Sequence, residues 1–104
     1  MPTLVIHAPS RTVTAGKRSF AATISSGVGT GYAIPSTQVG RIAPRCNVVL
    51  LDKDQRKRAE GTLARLAPTR KAGNGQQRYD VHVKGFTHVP YRPERLTRNG
   101  IAII

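Results

Sequence analysis

Alternation of apolar and polar positions is clearest over residues 77–84. Tyr79, Val81 and Val83 fall on one side of an extended chain there, and Arg78, Asp80, His82 and Lys84 on the other. A period of two marks a β-strand with one buried and one wet face. Residues 47–51 form a short apolar run dense in β-branched and aliphatic side chains, the pattern of a strand in a sheet interior. The polar quartet Asp52-Lys53-Asp54-Gln55 follows and favours a turn. Residues 56–66 then resume a looser alternation. Arg58, Glu60, Thr62, Ala64 and Leu66 lie on one face, and Ala59, Gly61, Leu63 and Arg65 on the other. The two runs read as a hairpin around which the rest of the chain is organised. Gly61 within its second strand signals a bulge or a close backbone approach.

The remaining elements are shorter. Residues 3–8 read as a first strand, ended by Pro9. Residues 10–26 suit a strand and then a short helix over 17–24, or equally two short strands. The short helix is expected, although Ser and Thr weaken it by competing for backbone hydrogen bonds. Gly27-Val28-Gly29-Thr30-Gly31 reads as a flexible turn. It is not a phosphate loop: Gly16-Lys17 is followed by Arg18, Arg11 stands where the first Walker glycine belongs, and Tyr32 replaces the third glycine of a dinucleotide fingerprint. After a short apolar segment at 32–34, Pro35 stops the chain and Ser36 is placed to cap a helical turn over 37–41. Residues 67–76 read as a long polar connection tipped by Gly73-Asn74-Gly75, with Arg70 and Lys71 projecting from it. Gly85 is expected to end the strand at 77–84, and 86–91 to form another short one, limited to an edge by Pro90. A helical turn at 93–97 and a turn at Arg98-Asn99-Gly100 lead to a last apolar strand, 101–104, which should be buried. The expected fold is mostly β (α+β): a single-domain, closed or nearly closed β-barrel of about six short strands with one or two short helices. Closure protects strand edges at this size.

Charge turns this fold toward a partner. The 104 residues hold 17 Lys and Arg against 5 Asp and Glu, a formal net charge of +12. Such an imbalance attracts polyanions. Residues 1–40 contain only Arg11, Lys17 and Arg18 and no acid, so the other 14 basic and all 5 acidic residues lie beyond them. No apolar run approaches the roughly 18 residues a membrane span needs. The N-terminal segment has neither the basic start nor the apolar length of a signal peptide, so a cytoplasmic protein without a membrane partner is expected. The single Cys46 excludes an internal disulfide and reads as a small core filler.

The order of elements resembles the PUA-like group of small barrels. The matching residues are Pro35-Ser36-Thr37-Gln38-Val39-Gly40-Arg41-Ile42, then Asn47-Val48-Val49-Leu50-Leu51, the polar turn, and Ala59-Glu60-Gly61-Thr62-Leu63. The Gly-Asp usual before the hairpin in that group is replaced by Arg45-Cys46, no aromatic cage is assignable, and no functional residue is carried over. The resemblance implies an RNA-binding module.

The residues offer little for catalysis. His82 and His88 have no nearby ligand partners, His7 stands alone, and Cys46 could meet a histidine only through the fold. Asp52 and Asp54 are turn formers, which leaves few carboxylates for acid–base work. No enzyme activity, cofactor or metal is expected. A binding surface is the better reading. Arg78, His82 and Lys84 share a wet face, and pairing of that strand with 56–66 would add Arg56 and Arg58. Arg56, Lys57, Arg58, Arg78 and Lys84 are the expected phosphate grips. Arg92, Arg95 and Arg98 beside Tyr91 supply a second group suited to phosphate contact and base stacking. The expected partner is nucleic acid, RNA in preference to DNA. The alternatives are a protein–protein module with an acidic partner, a homo-oligomer through the C-terminal strand, and a ligand-binding barrel with 27–31 as its lid.

Overall fold

The two most apolar runs of the chain lie side by side, inside one curled sheet. The computed structural model describes residues 3–8, 19–34, 36–42, 46–52, 55–71, 77–94 and 101–104. Strands β1 (Thr3–His7), β2 (Val28–Ala33), β3 (Asn47–Asp52), β4 (Lys57–Lys71), β5 (Gln77–Val89) and β6 (Ile101–Ile103) form a six-stranded sheet in the order β2-β5-β4-β3-β1-β6. β1 and β3 are parallel, and every other neighbouring pair is antiparallel. The sheet curls into a half-barrel rather than closing, and β2 and β6 remain its edges. Helix α1 (Phe20–Ser26) and the single turn α2 (Ser36–Val39) complete the fold.

Local chemistry explains the helix. Ser19 caps it through an Oγ that accepts from the Ala22 amide at 3.2 Å. Gly27 ends it in the left-handed region, donating its amide to the Thr23 carbonyl at 2.8 Å. Phe20 and Thr23 are buried by packing against the inner face of the sheet. That face gathers Leu4, Ile6, Val48, Leu50, Ala59, Leu63, Val81 and Val83 into the main core. Tyr32 is wholly buried and donates its hydroxyl to the His7 carbonyl at 2.8 Å. Cys46 is a buried part of the same core. Burial pushes its thiol above the ordinary value, against a smaller opposing backbone hydrogen bond at Leu4.

Several sequence expectations are corrected. The glycine-rich stretch 27–31 is no loop or lid: most of it is edge strand β2. Gly29 is buried, and a Cβ there would stand 3.0 Å from the Tyr32 ring. Gly85 does not end its strand. It takes φ +71° within β5, which runs on to Val89 as one long strand instead of two short ones. Likewise β4 extends through 67–71, where a polar connection was expected. The tip at 72–76 lies outside the described residues, as do the side chains of Arg70 and Lys71. Pro93 and Glu94 have no regular structure, and 95–97 are not described. Ile101 is buried as expected, but Ile104 is 63% exposed.

Gly61 sits where a bulge forms. Glu60 and Thr62 on β4 face Thr87 and Lys84 on β5, so Gly85 and Phe86 stand opposite Gly61 alone. A left-handed glycine as the first residue of such an insertion is a recurrent bulge geometry. Gly61 must lack a side chain, because a Cβ would lie 2.6 Å from Val83 Cγ1 and 2.9 Å from the Lys84 carbonyl. The insertion also turns Phe86 inward against the main core.

Candidate nucleic-acid interface

The outer face of the sheet has two halves. Over β1 and β3, Val5, Val49 and Leu51 form a small buried cluster on which Tyr91 and Ala102 pack. The segment 91–94, which follows β5, is fastened there by Arg58. This guanidinium is only 4% exposed. Its Nε donates to Glu60 Oε2 at 3.1 Å, and its Nη1 to Glu94 Oε1 at 3.1 Å and to the Arg92 carbonyl at 2.9 Å. Arg58 was expected to meet a polyanion. The structure makes it an internal clamp instead, because two carboxylates reach it and the 91–94 segment covers it.

Over β4, β5 and β2 the outer face is open and basic. Thr62 pairs with Lys84 and Arg65 with His82 across β4 and β5, while Arg78 pairs with Ala33 of β2. Directly paired side chains on one face stand about 5 Å apart at Cβ, so Arg65 adjoins His82, with Lys84 two residues further along β5. Arg78 is four residues from His82 the other way, about 13 Å along the strand. Lys84 and Arg65 are exposed, and His82 and Arg78 are half-buried. Arg78 Nη1 donates to the Gly31 carbonyl at 2.7 Å. Arg65 is the residue that sequence alternation assigned to the wrong side. Ala64 is an extra residue between the Leu63–Val83 and Arg65–His82 pairs, and this shift exchanges the faces of everything after it. Arg65 thereby turns outward and Leu66 inward, where it packs on the main core.

The other expected residues scatter. Arg56 sits in the β3–β4 turn at φ +54°, its guanidinium 4.8 Å from the centre of the Tyr91 ring. Arg92 is 72% exposed and adjoins Glu94 at 3.5 Å. Lys57 lies on the opposite side of the sheet, in a groove with Phe20, Ala21, Ile24, Ser25 and His88. It therefore does not join the outer face. Arg95 and Arg98 lie outside the described residues.

The acids of the described residues are committed within the fold. Asp52 Oδ1 accepts from the Gln55 amide at 3.1 Å, and Asp80 Oδ1 from the Gly31 amide at 3.2 Å. Glu60 and Glu94 hold Arg58. Lys84 and Arg65 thus have no carboxylate partner among the described residues. Nor do those residues gather three or more His, Cys, Asp or Glu side chains as a metal site would. None of their helices is long and apolar enough to cross a membrane. No protein-family model matches the chain, and neither does any curated protein or solved structure.

Proposed function

We propose that the outer face over β4, β5 and β2 binds single-stranded nucleic acid, RNA in preference to DNA, without catalysing a reaction. The observation that carries this reading is the adjoining set Arg65, His82 and Lys84, exposed or half-exposed on the face that also carries Arg78, while the nearby carboxylates serve internal bonds. Uncompensated cations on one surface are what a phosphate backbone meets by releasing its counterions. The similarity of 35–42, 47–51 and 59–63 to PUA-like barrels favours RNA.

Fluorescence anisotropy with a labelled single-stranded RNA tests the reading. Affinity should fall with salt by about 0.7 log unit per decade for each phosphate neutralised. Replacing both Arg65 and Lys84 by Ala should lower that slope by about 1.4. Affinity that ignores salt, or no binding at low salt, would overturn the reading.

A second reading has its own observation. β6 is an edge strand, and Ile104 beside it is exposed, as suits pairing of two copies along that edge. Light scattering should then report a dimer that Ile104→Lys dissociates. A monomeric parent chain would remove this reading.

A further inference from the structure

From the cavity at the end of the basic face we infer a subsite for one unpaired guanine base; the inference rests on the nucleic-acid reading above. The cavity, about 420 Å³, is lined by Arg58, Glu60, Val89, Pro90, Tyr91 and Arg92. It lies on the same face as the cations and in the same ladder. Arg58–Val89 and Glu60–Thr87 are followed along β4 by Thr62–Lys84 and Arg65–His82. At about 3.3 Å per residue, Glu60 is about 7 Å along the strand from the Thr62–Lys84 pair. A strand of RNA gripped by Lys84 and Arg65 would therefore bring an adjacent base to this opening.

The lining selects the base. Glu60 is 46% exposed, and its Oε2 is held by Arg58 Nε. Its Oε1 makes no hydrogen bond to the described residues, Oε2 keeps a lone pair beside the one Arg58 uses, and Glu60 lines the cavity. An ionised carboxylate only accepts hydrogen bonds. Guanine alone among the common bases offers two adjacent donors, N1–H and the exocyclic amine, on its Watson–Crick edge. Adenine and cytosine each present a ring acceptor beside the amine, and uracil flanks its single N–H with two carbonyls. Arg92, on the rim, is of the type that bonds guanine O6 and N7. Pro90 and Tyr91 supply an apolar wall, with Tyr91 steadied by Arg56. The donor edge is accessible only in an unpaired strand.

The test compares three short labelled RNAs at low salt: uridine only, the same with one central guanosine, and the same with inosine there, which lacks the exocyclic amine. The guanosine RNA should bind at least about fivefold more tightly than the uridine RNA, the lower end of discrimination by a bidentate pair. Inosine should lose part of that gain. Glu60→Gln, which keeps an acceptor for Arg58 Nε, should abolish the preference without weakening the uridine RNA. Equal affinities of the parent protein for guanosine, inosine and uridine RNAs would overturn the inference while leaving the nucleic-acid reading intact. So would a preference that survives Glu60→Gln. Failure of all three RNAs to bind would overturn both.

Discussion

Arg58 and Arg65 lie on one strand, on one face of the sheet, and do opposite things. Arg58 is enclosed by Glu60, Glu94 and the Arg92 carbonyl and fastens the 91–94 segment over Val5, Val49 and Leu51. Arg65 is exposed, and its cross-strand neighbour is His82. A guanidinium becomes available to a partner only where the local carboxylates have been used elsewhere. At one end of β4 the acids converge on the cation. At the other, Asp80 is turned to the Gly31 amide instead. Net charge alone would have ranked the two arginines equally.

The largest expected effect breaks this pair apart. Arg58→Ala removes one partner of a buried ion cluster and should cost about 3–5 kcal/mol in denaturant unfolding. Arg65→Ala should stay within about 0.5 kcal/mol of the parent while weakening RNA binding. Equal stability losses would erase the distinction. Next in size, Gly61→Ala forces a methyl against Val83 and the Lys84 carbonyl and should cost about 1–3 kcal/mol. Gly85→Ala meets nothing within 4 Å, so only the left-handed backbone opposes it, at about 1–2 kcal/mol measured the same way.

The smallest effect concerns pH and separates inner from outer face. Tyr32 and Cys46 are buried with acidities weakened by desolvation, so each folded-state pKa lies above its ordinary value of 10.0 or 9.0. Their contribution is full below those ordinary values and is lost as pH rises past them toward the folded-state values. Stability should therefore decline in that alkaline range, and Tyr32→Phe with Cys46→Ala should flatten the decline in a pH series of melts. An unchanged decline in the double variant would assign it to other groups.

Much of the sheet was legible because period-two patterning and apolar runs reflect burial directly. The strand at 47–51, its pairing with 56–66 and the wet face of Arg78, His82 and Lys84 all follow from that. What escaped were the places where one residue is inserted. Ala64 carries no chemical mark, yet it reverses the faces of Arg65 and Leu66. Gly85 looked like a strand end because a left-handed glycine serves both a stop and a bulge. The glycines at 27–31 suggested mobility, whereas Gly29 is small because Tyr32, Ile6 and Thr23 surround it. Arg58's confinement depends on Glu94, 36 positions away, a contact no local pattern announces.

The placement of β1 next to the β6 edge has a consequence for assembly. It is flanked by β3 in parallel and by β6, and the Thr3 and Ile104 backbones exchange hydrogen bonds at 2.7 and 2.9 Å. The β3–β4–β5 portion can zip up through successive antiparallel hairpins, but β1 gains its second flank only when β6 reaches it from the far end of the chain. Joining segments so distant in sequence is slow. Until it happens, Leu4, Val5 and Ile6 sit on a raw hydrogen-bonding margin, the stage at which two unfinished molecules are most apt to cling to each other.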